Sequence, residues 1–206
     1  MELKADSRKH IDIVGVQFTG DPSVYEDGTL FTPNPGNVTY TGEPSPEIDA
    51  AWLALVGGRD FLISEEEAKA LWTSDYELHW DNAKGGYYVG LSMFHTLHCL
   101  ARIYQYFHAE HYGIETTDES IRHRNHCIDE IRQYVMCTGD ITVYGTRYYK
   151  SKDRNFADSD VTHVCRDFGK IREWVRRRRS GDLAVQPDYE EKVVVPADHK
   201  RPSAND

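Results

Sequence analysis

The side chains with the widest chemical reach in this sequence are its ten histidines and four cysteines, in a chain of 206 residues. Six of them form one pattern written twice: His95-Thr96-Leu97-His98-Cys99 and His123-Arg124-Asn125-His126-Cys127. At ~100° per residue, helix positions i, i+3 and i+4 share a face one turn apart. Each HxxHC motif therefore offers two imidazoles and one sulfur on a single stripe. A lone His on an apolar helix face is ordinarily a packed core residue, and one HxxH arises often by chance. Two HxxHC copies on consecutive helices point instead to metal, with His95, His98, His123 and His126 as expected ligands. Imidazole suits Zn, Cu, Fe and Ni. Structural zinc sites are closed and commonly use thiolates, so an all-His set leans toward copper or a catalytic zinc.

The cysteines decide part of the chemistry. Reduced, Cys99 and Cys127 are further ligands; oxidised, they leave the site to histidines. Four cysteines allow three pairings. Cys127 and Cys137 sit ten residues apart on one predicted helix, ~15 Å along its axis, whereas a disulfide needs Cα atoms within about 7 Å. Two sets survive: Cys99–Cys127 with Cys137–Cys165, or Cys99–Cys137 with Cys127–Cys165. In a hairpin turning near Ile114, Cys99 and Cys127 differ in height by ~4.5 Å and Cys99 and Cys137 by ~10 Å, which favours the first set. Four thiols in a reducing compartment is the alternative. Asp129, Glu130 and Asp140 stand where carboxylates can orient imidazoles through the second ring nitrogen. His163 joins the candidates as a fifth ligand if Cys165 is bridged to Cys137.

These residues need elements to hold them. A helix is predicted over 89–112, stopped by Gly113, and a second over about 116–137, stopped by Gly139, with Thr116-x-x-Glu119 as a start signal. Their short connection makes them an antiparallel hairpin. Pro46 to Gly57 reads as a short helix, and Ser64-x-x-Glu67 is a capping box opening another that ends near Trp72. Residues 10–18 and 141–149 alternate as strands. A last helix is predicted from Val161 to Arg177, with Val164, Phe168, Ile171, Trp174 and Val175 as its apolar stripe. The fold class is therefore mainly α with minor β, with a helical hairpin core carrying both motifs plus short helices and peripheral strands. Residues 1–45 form an extended N-terminal segment, 46–178 a metal-binding domain and 179–206 a polar tail.

Composition narrows the function. Lys plus Arg is 24 against 34 for Asp plus Glu, a net charge of −10. Such a chain repels phosphate backbones, so nucleic acid is not an expected partner. No apolar run reaches the ~20 residues that span a bilayer. There is no Gly-rich phosphate loop and no GxSxG elbow. Asn37-Val38-Thr39 is a glycosylation sequon. Tyr87, Tyr88, Tyr104 and Trp80 are candidates to line an aromatic substrate pocket, although core packing is the commoner use of each.

HTLHCL at 95–100, HRNHCIDEIRQYVMCTGD at 123–140, HVCRDFGKIREWV at 163–175 and the PEIDAAW segment ending at Trp52 resemble the fungal UstYa-like mycotoxin-biosynthesis proteins, over roughly residues 45–178. The resemblance implies an oxidative tailoring enzyme of fungal secondary metabolism that uses O2 on a peptide or other natural product, by cyclisation, hydroxylation, desaturation or halogenation. It implies copper as cofactor, His95, His98, His123 and His126 as ligands, and Cys99, Cys127, Cys137 and Cys165 as the family's cysteines. It also implies residence in the secretory lumen (ER or Golgi type), behind an N-terminal membrane helix that this chain lacks. Homodimers or heterodimers with a related protein are expected partners. The competing expectations are a non-catalytic partner subunit of such an oxidase and a zinc-bound structural module.

Overall fold

The computed structural model describes residues 12–33 and 35–189; the expectations for residues 1–11 and 190–206 lie outside them. The chain divides into two compact units, each assembled from separated stretches of sequence. The architecture is mainly α with minor β.

The unit that carries the motifs comprises Ile13–Gly57 and Ser92–Asp167. Its first helix, α1 (Pro46–Val56), starts where the Ser45 hydroxyl accepts the Ile48 amide and proline supplies a preset φ in the first turn. Ile48 and Trp52 are its buried face. They pack with Ala101 and Tyr104, flanked by Tyr40, Leu55, Val56 and Tyr112. The polar tips of this aromatic cluster are satisfied. Trp52 Nε1 donates to the Tyr40 carbonyl at 2.9 Å, Tyr104 OH to the Gly42 carbonyl at 3.2 Å and Tyr112 OH to Asp49 at 2.6 Å. Each ring thus buries its apolar body without stranding a donor.

Two longer helices, which we label α3 (Ser92–Phe107) and α4 (Asp118–Thr138), pack against each other. Tyr104 and Ala101 on α3 seat the pair on α1. The α4 start is a capping box, but its members are Thr117 and Ser120 rather than Thr116 and Glu119. Its end is Gly139 in the left-handed conformation at φ 48°, as the sequence predicts. The first helix is shorter than predicted at both ends. Val89 belongs to a strand, and after Phe107 the chain leaves the helix in turns up to Gly113.

Strand β1 (Ile13–Gln17) pairs antiparallel with β9 (Thr162–Arg166), so that Val16 faces His163 and Val14 faces Cys165. This corrects the predicted helix start at Val161. Residues 162–166 are a strand, and Val164, assigned above to a helical stripe, is 73% exposed. Strand β7 (Gly145–Tyr149) forms a hairpin with β8 (Arg154–Asp158), and β2 (Ser23–Val24) a small ribbon with β3 (Leu30–Phe31). The strand predicted from Ile141 begins only at Gly145; Ile141 and Val143 are almost fully exposed. Asn37 is exposed in a bend.

The other unit contains, among the described residues, Gly58–Leu91 and the stretch from Phe168 to Tyr189. Strands β4 (Asp60–Ile63), β6 (Gly86–Gly90) and β5 (Trp80–Asp81) form an antiparallel sheet in the order β4-β6-β5. Helix α2 (Glu65–Trp72) opens on the predicted capping box, with Ser64 and Glu67 each bonding the other's amide. On helix α5 (Phe168–Ser180), Ile171, Trp174 and Val175 are buried, and Trp174 meets Phe61 edge-on at 5.4 Å. Arg178, also buried, donates to Glu67 at 2.6 Å and to the Leu62 carbonyl at 3.4 Å. One guanidinium thereby ties α5, β4 and the α2 cap together. Truncating a buried partner of this kind costs ~3–5 kcal/mol. Among the described residues no helix is long and apolar enough to cross a membrane.

Candidate metal centre

The ring contacts between α3 and α4 give the direction of the hairpin. His95 lies opposite His126, with ring centroids 5.5 Å apart, and His98 opposite His123 at 6.5 Å. As residue number rises on one helix it falls on the other, so the helices run antiparallel at the motifs. The first histidine of each motif thus faces the second histidine of the other.

Each cysteine sits one turn beyond the first histidine of its own motif. Cys99 Sγ is 3.8 Å from His95 Nε2, and Cys127 Sγ is 3.8 Å from His123 Nε2. Both sulfurs are fully buried. The result is two half-sites related by the pseudo-symmetry of the hairpin. In the first, one ligand atom from each of His95, Cys99 and His126 lies within 4.8 Å of the other two. In the second, His123 and Cys127 are in the same relation as His95 and Cys99, with His98 opposite at the wider spacing.

Partners at the second ring nitrogen decide which nitrogen faces inward. His95 Nδ1 lies 3.5 Å from Glu130 Oε1, a carboxylate–imidazole pair that leaves Nε2 toward Cys99. His123 Nδ1 lies 3.1 Å from the Tyr106 hydroxyl, which again leaves Nε2 toward its cysteine. Burial, first, and then the positive charge of Arg102 and the neighbouring imidazoles hold the His123 pKa below the ordinary histidine value. These effects favour the neutral imidazole, the form a metal ligand requires.

The remaining expected residues are placed as follows. Asp129 is held by Arg132 at 2.7 Å and Gln133 at 2.6 Å, which lower its pKa, and it bonds neither motif. Asp140 bonds His163, not a hairpin histidine: Oδ2 to Nδ1 is 2.5 Å. His163 Nε2 lies 3.5 Å from the Ser159 carbonyl, and Phe18 stacks on the ring with centroids 3.5 Å apart. His163 is buried with both nitrogens engaged, outside the cluster formed by His95, Cys99 and His126. The four cysteines form no disulfide; Cys137 is exposed and Cys165 half-buried. The Asp140–His163 contact nevertheless brings the end of α4, where Cys137 lies, to the strand that carries Cys165. Of the candidate pocket aromatics, Trp80, Tyr87 and Tyr104 are core residues. Tyr88 lines a cavity of about 570 Å³ with Lys84, Arg179, Val185 and Tyr189.

Tyr106 is the site residue that the motif reading does not contain. A signal for it exists in the sequence. Aligning 95–107 with 123–135 extends the repeat beyond HxxHC: Ile103 matches Ile131, Gln105 matches Gln133 and Tyr106 matches Tyr134. The same alignment sets Arg102 opposite Glu130.

The donor set fits a borderline or soft transition ion, since imidazole nitrogen and sulfur are its preferred ligands and no hard oxygen cage is present in the cluster. Comparisons with known proteins give the family. A family model described as mycotoxin biosynthesis protein UstYa matches residues 3–178. The UstYa family oxidase phomYd of Diaporthe leptostromiformis is 34% identical over 193 residues, 89% of this chain and 64% of that protein. The UstYa family oxidase phomYc of the same fungus is 33% identical over 175 residues, 78% of this chain and 64% of its own length. The chlorinase cctP2 of Talaromyces islandicus is 31% identical over 135 residues, 64% of this chain and 41% of that protein. The chain thus spans less than two thirds of the length of these relatives. No solved structure matches. The chain belongs to the UstYa family.

Proposed function

We propose that this protein is a copper-dependent oxidative tailoring enzyme of fungal secondary metabolism, acting with O2 on a peptide or other natural product. The observation that carries the reading is the assembly of His95, Cys99 and His126 from two helices into one cluster of ligand atoms. The family's relatives named oxidases and a chlorinase support the redox class. His95, His98, His123 and His126 would hold the metal, and the chemistry copper supplies when bound is one-electron cycling and activation of O2. The chain's own residues do the rest. Glu130 accepts from the Nδ1 side of His95, which leaves the lone pair on Nε2 facing inward, and the Tyr106 hydroxyl would do the same for His123 by accepting from its Nδ1. Burial of Cys99 and Cys127 keeps water from that side of the cluster. The exposed edges of His95 and His126 leave an approach for substrate.

The same reading expects the domain in an oxidising secretory lumen, where thiols that are free in this structure would be open to pairing. It also gives the protein a partner. Val135 and Met136 on α4 and Ile141 and Val143 after it are exposed apolar side chains close in sequence, suited to a second copy or a related chain.

The test is copper loading followed by electron paramagnetic resonance and O2 consumption with a reductant. The wild-type protein binds copper through nitrogen and consumes O2. His98→Ala and His126→Ala lower both. Copper binding and turnover unchanged in both variants would show that the site is misassigned, and binding without O2 consumption would favour a non-catalytic partner subunit.

A further inference from the structure

The hairpin repeats its ligands but not the charge behind them. One turn beyond Cys99 stands Arg102, and one turn beyond Cys127 stands Glu130. Glu130 reaches across to the Nδ1 side of His95 at 3.5 Å. Arg102 does not reproduce that contact on the other side. It donates to Gln105 at 2.7 Å and lies over the Tyr106 ring, 5.6 Å from its centroid, while the Tyr106 hydroxyl takes the position at His123 Nδ1. One imidazole is therefore backed by a carboxylate, the other by a neutral phenol with a guanidinium on its face.

A carboxylate on the outer nitrogen raises the basicity of an imidazole ligand, and its charge offsets part of the cation's. A guanidinium nearby does the reverse. The spacing differs in the same sense. The carboxylate-backed half has three ligand atoms already within 4.8 Å of one another, whereas His98 and His123 lie 1.0 Å further apart by centroid than His95 and His126 (6.5 Å less 5.5 Å).

We infer that the two halves are inequivalent cation sites. His95, Cys99 and His126, positioned by Glu130, take the first divalent transition ion; His98, His123 and Cys127, positioned by Tyr106 and opposed by Arg102, take a second ion at least about tenfold more weakly. The inference rests on the metal-binding reading above and adds an order of filling that the duplicated motif does not contain. It makes Glu130 and Tyr106 positioning residues, each acting through one imidazole.

The experiment is titration of the full chain with Co(II) alone, followed by visible absorption and by competition with a chelator, with thermal melts to verify folding. Two binding events separated at least tenfold are expected. Glu130→Gln weakens the first about tenfold. Arg102→Glu strengthens the second and leaves the first in place, and Arg102→Gln does so to a smaller extent with less disturbance of packing. Tyr106→Phe weakens the second only. A single event that Glu130→Gln weakens also agrees, the second half then lying beyond the concentrations used. Two events of equal affinity, or a first event that responds to Arg102 and not to Glu130, would overturn the inference and leave metal binding standing. Absence of any binding would instead overturn the metal reading and this inference with it.

Discussion

Among the described residues, His95 with Glu130 and His163 with Asp140 are imidazole–carboxylate pairs of the same unit, and only the first belongs to a candidate site. His95 with Glu130 is part of the hairpin; its other nitrogen faces a buried sulfur, with a second imidazole opposite. His163 with Asp140 is the shorter contact at 2.5 Å and the more deeply buried ring. Its other nitrogen, however, meets the Ser159 carbonyl, and its face is covered by Phe18. The carboxylate does the same orienting work in both pairs. What separates a ligand from a structural pin is where the remaining nitrogen points: toward other soft donors in one case, toward a backbone acceptor in the other.

The comparison can be broken by substitution. Replacing His95 or His126 with Ala has the largest expected effect on metal: at least about a hundredfold weaker copper binding, measured by chelator competition, with little change in melting temperature because both rings are exposed. His163→Ala should do the opposite. It removes a buried, hydrogen-bonded and stacked ring and costs about 2 kcal/mol in denaturant unfolding, with copper affinity within about threefold of wild type. Equal loss of metal in His163→Ala would join the two pairs into one site.

A finer prediction concerns acid. Hydrogen bonds from Thr142, first, and then from His163 hold the Asp140 pKa at about 2, below the ordinary carboxylate value of 3.8. A depressed carboxylate contributes stability that is present above its unfolded pKa and lost as pH falls through its folded one. The stability advantage of wild type over Asp140→Asn is therefore full above about pH 4 and fades between that value and about pH 2, read from urea midpoints across the range. A difference constant with pH would mean that the charge of Asp140 contributes nothing. The smallest effect expected is at Asp129, whose partners are two exposed side chains of its own helix. Asp129→Ala should change stability by less than about 0.5 kcal/mol and leave copper affinity unchanged.

The division between legible and hidden features follows the range of the interactions. The HxxHC stripes, the Ser64 capping box, the Gly139 stop and the α1 face are set by neighbours within a turn or two, and the sequence displays them. Strand β9 has the local pattern of a helix because its partner, β1, lies about 150 residues earlier in the chain, and the spacing of Val164 fits an apolar stripe although the side chain is exposed. His163 has the chemistry of a ligand in the sequence, whereas the Ser159 carbonyl and Phe18 that engage it are visible only in the fold. Among the acidic residues near the second motif, only geometry separates Glu130, which reaches His95, from Asp129, which reaches its own helix. Tyr106 was within reach: the repeat extends to it once 95–107 is laid on 123–135.

The central claim is that His95 and His126, on opposite helices, share one metal ion. X-ray absorption at the copper edge of the His98→Ala/His123→Ala variant, in which only the His95–His126 half is left, compared with the variant that also carries His95→Ala and His126→Ala, tests it most directly. At one bound ion the account predicts scattering from two imidazoles in the first variant and none in the second. An unchanged pattern between the two variants, or oxygen ligands alone in the first, would contradict it.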